Sequence, residues 1–132
     1  IEGRPIKALR HSASVAGAKT VFLVGRQHPP EVTGGLAMKH FIAELFGDTE
    51  TAITFRDRFN IIMVPLLNPD GIANGHWRHN SGGVDLNRDW GAFTQPETQA
   101  AASLLDEIAS DPNDELVLFL DFHSTWDNVF YT

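Results

Sequence analysis

Apolar and polar positions along this chain fall into runs that read as strands and helices in alternation. Thr20 to Val24 (Thr-Val-Phe-Leu-Val) is apolar and β-branched with no polar alternation, the pattern of a central strand covered on both faces. After Gly34-Gly35, the positions Met38, Phe41, Ile42 and Leu45 recur at helical spacing, and Gly47 stands where a helix commonly stops. Phe59 to Leu67 predicts a second strand, with Pro65 near its end, where a missing N–H donor does least harm. Asn68-Pro69-Asp70-Gly71 reads as a turn. Thr94-Gln95-Pro96-Glu97 has the form of a capping box, and Ala101, Leu104, Leu105 and Ile108 then mark one helical face until Asp111-Pro112 ends it. Leu116 to Phe122 predicts a third buried strand, and Asn128 to Thr132 the start of a fourth. Near the amino end, Pro5 to Arg10 reads as a strand with partial alternation, followed by a turn at Gly17 to Lys19.

Strand, helix, strand, loop, helix, strand is the order of an α/β domain, an open, mostly parallel (mixed) sheet with helices on both faces. Ligands in such sheets bind beyond the carboxyl ends of the strands. His28, the loop after Leu67 and His123 all follow predicted strand ends. The stretch from Ile72 to Phe93 has no period and is rich in Gly, Asn, Asp, His, Arg and Trp, too long to be a mere connection in a compact domain.

Composition narrows the function. With 132 residues and 42% apolar content the chain is long enough for one domain with a real core. A net charge of −7 with scattered basic residues argues against a nucleic-acid surface, whose affinity comes mainly from cations on phosphates. No apolar run approaches a membrane span, and the amino terminus carries no signal pattern. The absence of cysteine excludes disulfides and thiolate zinc sites, so any metal must be held by nitrogen and oxygen. Such a composition fits the cytoplasm, as it would an exported mature chain.

Within that frame, Arg26-Gln27-His28-Pro29-Pro30-Glu31 sets an imidazole and a carboxylate three positions apart, after the apolar run, with two prolines that resist a helix through the turn. His28 and Glu31 form half of a zinc site, and His123, closing the run Leu116 to Phe122, is the candidate third ligand. Two histidines and one glutamate leave a fourth position for water, as in catalytic rather than structural zinc. A lone histidine is more often a hydrogen-bonded surface group; the partners shift the reading to a metal. His11, His40, His76 and His79 are read as ordinary residues. A ligating histidine usually donates its other ring N–H to a carboxylate, and Asp85 is the choice for His28. Asn87 and Arg88 could grip a carboxylate, and Arg78 could stabilise negative charge on a carbonyl oxygen. The competing reading pairs both arginines with Asp70, Asp85 or Asp89.

His28-Pro29-Pro30-Glu31, Asn68-Pro69-Asp70-Gly71, Trp77-Arg78, Gly83-Val84-Asp85-Leu86-Asn87-Arg88, Pro96-Glu97 and Asp121-Phe122-His123-Ser124 occur in an order and spacing that resembles the zinc carboxypeptidases. The first tetrapeptide and the Asn-Pro-Asp-Gly stretch look most like the bacterial and cytosolic branch, which includes protein deglutamylases. The resemblance spans residues 3–132. It implies one zinc ion on His28, Glu31 and His123, Asp85 behind the first histidine, Arg78 polarising the scissile carbonyl, and Asn87 and Arg88 holding the terminal carboxylate of a peptide or protein substrate. Two departures are visible. Pro30 stands where the digestive enzymes carry an arginine, so their side-chain preferences do not transfer. The family's general-base glutamate and lid tyrosine lie well downstream of the second histidine, so residues 1–132 are expected to be a partial catalytic domain of impaired activity. Its open sheet edges would favour pairing with another chain. Two other functions remain open at this point: a zinc amidohydrolase acting on acyl-amino acids, and a non-catalytic domain that binds carboxylates or zinc.

Overall fold

A computed structural model describes residues 2–125. Four strands, β1 (Leu9–His11), β2 (Lys19–Gly25), β3 (Phe59–Val64) and β4 (Leu116–Phe122), form one sheet in the order β1-β3-β2-β4. β2 runs parallel to both β3 and β4, and β1 is antiparallel on the far side of β3. The helices are α1 (Val32–Leu45), α2 (Glu50–Arg58), the short α3 (Pro69–Ala73) and α4 (Pro96–Ser110).

β2 lacks polar alternation because both of its faces are covered. Phe22 and Val24 enter one core with Ile62, Val64, Leu67, Leu86, Ala101 and Ile108, on the side of α4. Val21 and Leu23 enter the other with Met38, Leu45, Ile61 and Met63, on the side of α1. Each such side chain contributes about 1.5–3 kcal/mol of burial, so the central pair β2 and β3 anchors the domain.

Several expectations are corrected. The first strand is only Leu9–His11, an exposed edge piece, so Pro5 to Ala8 lies outside the sheet. Helix α1 starts at Val32, with Gly34 and Gly35 inside it. Gly34 is there because of a close approach: a Cβ on it would stand 2.6 Å from the His123 carbonyl oxygen. The Asn-Pro-Asp-Gly turn is the start of α3, whose Gly71 N–H donates to the Asn68 side chain at 3.0 Å. Helix α2 was not foreseen; its apolar stripe is weak, although Thr49 caps it and Arg56 and Arg58 sit in its last turn.

The capping box at Thr94 does not form. Gln95 is the N-cap without a side-chain bond, Thr94 donates instead to Asp89, and Glu97 is buried, accepting from Asn80 at 2.9 Å. β4 is not a buried strand either, since Val117 is 46% and Leu118 40% exposed at the sheet edge. A run of apolar residues records what a strand is suited to meet, and here the neighbour on one side is missing among the described residues. The strand expected over 128–132 lies outside them.

Because β2 and β4 are parallel, with Gly25 opposite Phe122, residues after each emerge at the same edge. Past β3 the chain stays beside them, Leu67 N–H donating to Gly25 O at 3.0 Å and Asn68 N–H to Arg26 O at 3.2 Å. The three strand ends thus converge, as the sequence order led one to expect.

Candidate metal centre

His28 is delivered by a sharp exit from β2. Arg26 takes a left-handed backbone, φ 57°, which costs a non-glycine residue about 1–3 kcal/mol, and its guanidinium donates to Pro29 O at 2.8 Å. Glu31 follows as the residue before α1, its backbone N–H meeting His28 O at 3.3 Å. Gly34 lets α1 lie against the end of β4, where Ser124 Oγ accepts the Gly34 N–H at 2.9 Å. That packing brings Glu31 to His123.

The resulting arrangement joins two imidazoles through one carboxylate. Glu31 Oε1 is 2.7 Å from His28 Nδ1, Oε2 is 2.9 Å from His123 Nδ1, and Ser124 N–H donates to Oε2 at 3.0 Å. The ring centroids are 4.9 Å apart. On the outer sides, His28 Nε2 is 2.8 Å from Asp85 Oδ1 and His123 Nε2 is 2.7 Å from Asp121 Oδ2. One ligand atom from each of His28, Glu31 and His123 lies within 4.8 Å of the others.

Each imidazole therefore stands between two carboxylates. It can satisfy both as an imidazolium donating from both nitrogens, or as a neutral ring donating Nε2–H outward and offering the Nδ1 lone pair inward to a cation. The first option places two positive rings side by side, one of them almost fully buried. The second puts a double charge at one point with both rings neutral. Tetrahedral zinc sets such ligand atoms about 3.3 Å apart, inside the 4.8 Å within which one atom of each residue lies here, so the donor set fits a divalent ion of this type.

Electrostatics agree with an anionic cradle. Burial alone would raise the Glu31 carboxyl, but the Ser124 N–H and the two imidazoles lower it on balance. Burial likewise opposes charge on Asp85, yet His28, Arg78 and the Asn87 N–H hold its carboxyl down at about 2. For His123, burial lowers the ring pKa and the carboxylates of Asp121 and Glu31 outweigh it, for a net rise.

The other sequence candidates are attached to the centre through Asp85. Arg78 Nε donates to Asp85 Oδ2 at 2.7 Å, so the ion-pair reading of this arginine holds, with Asp85 as the partner. Asp85 also caps a short 3₁₀ turn, Leu86–Arg88, by accepting Asn87 N–H at 3.0 Å. Arg88 pairs with none of the three aspartates proposed for it: it donates to Asn87 O at 3.0 Å, while Asp70 is taken by Arg4 and Asp89 by Thr94 and Thr98. The side chains of Asn87 and Arg88 are not brought onto the histidines. His11 bonds Arg56 O at 2.9 Å, and His40, His76 and His79 lie outside the metal-competent group.

Sequence reasoning missed Asp121 and Gln27. The signal for Asp121 was its position near the end of β4, two before His123 in the chain that continues from it. Gln27 gave none beyond adjacency to His28.

A mixed sheet whose parallel strands bring this His-Glu-His group to their carboxyl edge has the form of a metal centre, and comparison with known proteins makes the class specific. The family model described as zinc carboxypeptidase matches residues 1–132, and the chain belongs to that family. Cytosolic carboxypeptidase 2 of Xenopus tropicalis is 33% identical over 120 residues, covering 87% of this chain and 12% of that protein. Human cytosolic carboxypeptidase 6 is 30% identical over 112 residues, covering 83% of this chain and 22% of that protein. Among solved structures, the metallo-carboxypeptidase of Burkholderia cenocepacia superposes with a TM-score of 0.80 at 31% identity, over 94% of this chain and 33% of that one. The Pseudomonas aeruginosa metallo-carboxypeptidase, solved with (2-guanidinoethylmercapto)succinic acid, gives 0.78 at 28% identity over 94% and 32%. The chain thus spans about a third of these solved structures. Family membership implies Zn2+ as the cofactor, and His28, Glu31 and His123 could hold it.

Proposed function

We propose that this protein acts as a zinc-dependent carboxypeptidase, hydrolysing the last peptide bond of a peptide or protein with a free carboxyl end. The observation that carries the proposal is the single Glu31 carboxylate shared between two Nδ1 atoms whose Nε2 partners are both anionic. Bound by His28, Glu31 and His123, zinc would acidify a water and polarise the amide carbonyl. Asp85 and Asp121 keep the two rings in the tautomer that presents Nδ1. Arg78 is assigned to the charge that develops on the carbonyl oxygen, with Asp85 tying its guanidinium to the first imidazole. Asn87 and Arg88, on the turn that Asp85 caps, are assigned to the substrate carboxylate, for which a planar guanidinium offers two parallel donors. Glu31, Asp85 and Asp121 are each engaged by an imidazole, so the proton acceptor is assigned to a carboxylate outside this set. Likeness to cytosolic carboxypeptidases supports a cytoplasmic setting, and no helix among the described residues is long and apolar enough to cross a membrane. The exposed apolar residues of β4 support self-association through that sheet edge, which size-exclusion chromatography would register as a species larger than the monomer.

The test combines zinc content with substrate discrimination. The protein should bind one zinc, lost in His28→Ala and in His123→Ala, and should prefer a peptide with a free carboxyl end to the same peptide amidated. Arg88→Ala should raise KM for the free-acid peptide and abolish that preference. Hydrolysis of an N-acyl amino acid with none of the peptide would favour an amidohydrolase instead. Zinc bound with no discrimination between the free-acid and the amidated peptide, either in binding or in the low turnover expected of residues 1–132, would favour a zinc-binding domain.

A further inference from the structure

The two imidazoles differ in what stands behind them. Behind His28, Asp85 is neutralised by Arg78 at 2.7 Å and braced by the Asn87 N–H at 3.0 Å. Behind His123, Asp121 Oδ2 takes the imidazole Nε2 at 2.7 Å and also accepts from the side-chain amide of Gln27. No arginine or lysine pairs with Asp121 among the described residues, and its Oδ1 is buried there with no hydrogen-bond partner. All that holds this carboxylate therefore acts at one oxygen.

Gln27 is fully buried, and its amide is keyed at the other end: Trp90 Nε1 donates to Gln27 Oε1 at 2.8 Å. An indole N–H can only donate, so it fixes which end of the amide faces it and turns the NH2 toward Asp121. The Gln27 backbone is held as well, its carbonyl accepting from Asn68 Nδ2 at 3.0 Å. A buried amide with both ends committed is a rigid support, because turning it would strand a donor and an acceptor away from water.

We propose that Gln27, keyed by Trp90, is a positioning residue for the second imidazole: by donating to Asp121 it fixes that carboxylate on the His123 Nε2–H, so that Nδ1 presents its lone pair beside Glu31. This rests on the zinc reading above. It assigns different supports to the two ligands, a charge-neutralised aspartate behind His28 and an un-neutralised one, held by a neutral amide, behind His123. The second aspartate, with no arginine or lysine paired to it among the described residues, makes His123 the more strongly polarised ligand.

The experiment measures zinc affinity by chelator competition and the visible spectrum of the cobalt-substituted protein, with unfolding of the metal-free form as a control. Gln27→Leu, similar in size but without a donor, should weaken zinc binding about 10–100-fold and alter the cobalt bands. Asp121→Asn should weaken it at least as much, and the double variant should be no weaker than Asp121→Asn alone, since both act along one path. Gln27→Leu binding zinc within twofold of the parent, or losses that multiply in the double variant, would overturn the proposal. If Gln27→Leu does not fold, Trp90→Phe, which removes the indole donor and keeps an aromatic ring, should weaken zinc in the same direction; unchanged affinity there would be equally decisive against it. A parent protein that binds no zinc would defeat the metal reading itself, whereas normal parent binding with an indifferent Gln27 defeats this inference alone.

Discussion

Gly34 and His123 touch through their backbones: a methyl group on Gly34 would stand 2.6 Å from the His123 carbonyl oxygen and 2.8 Å from its carbonyl carbon. Backbone cannot yield as a side-chain tip can, so Gly34→Ala should push α1 away from β4 and draw Glu31 off His123. The expected cost is about 1–3 kcal/mol of stability, with weakened zinc binding. Thermal unfolding and a zinc titration check it. Gly35→Ala is the contrast, because its Cβ would meet side-chain atoms of Arg26, Cδ at 2.8 Å, rather than backbone.

Asp85 carries two duties that can be separated. Asp85→Asn keeps an oxygen for the Asn87 N–H but loses the charge that faces His28 and Arg78, so zinc affinity should fall about 10-fold or more while the 3₁₀ turn persists. Asp85→Ala loses both. It should weaken zinc further and also release the Leu86–Arg88 turn, read as faster amide hydrogen exchange at Asn87. Equal exchange in the two variants would contradict the division of labour.

Asp89 offers a test of stability with no metal involved. It is buried just after the Leu86–Arg88 turn and accepts from the segment that leads into α4 and from the first turn of that helix: Thr94 N–H at 3.0 Å, Gln95 N–H at 2.9 Å and the hydroxyls of Thr94 and Thr98. Burial would raise its carboxyl, but these bonds bring it to about 2. The folded pKa lies below the unfolded value of about 3.9, so the contribution is complete above that value and is lost as pH falls toward 2. Asp89→Ala should cost about 3 kcal/mol at neutral pH, where four donors lose their acceptor, and the difference from the parent should shrink in acid. Urea unfolding at several pH values measures it.

What the sequence disclosed followed from how local each signal was. The covering of β2 on both faces was legible because Val21, Phe22, Leu23 and Val24 are all apolar, and parallel strands then send their carboxyl ends to one edge whatever the details. His28, Glu31 and His123 could be named because their residue types and places at strand ends carry the chemistry with them. Asp85 was found by asking what a ligating imidazole needs. Gln27 and Trp90 were not, since an amide and an indole sixty-three positions apart leave no local trace of their contact. Thr94 was misread for a related reason. Its capping pattern was intact, but Asp89, outside the pattern, competed for its hydroxyl and won with a charge-assisted bond. The exposure of β4 is likewise a fact about neighbours, which a strand's own residues do not record.

Glu31 has a consequence for how the domain holds together. Its two oxygens reach imidazoles ninety-five positions apart, one leaving the innermost strand and the other leaving the rim. An ion seated among these three groups would work as a rivet between β2 and β4, and its binding energy would count toward folding as much as toward chemistry. Chelation should therefore loosen β4 before it disturbs the β2–β3 pair, in the sequence a peeling seam would follow.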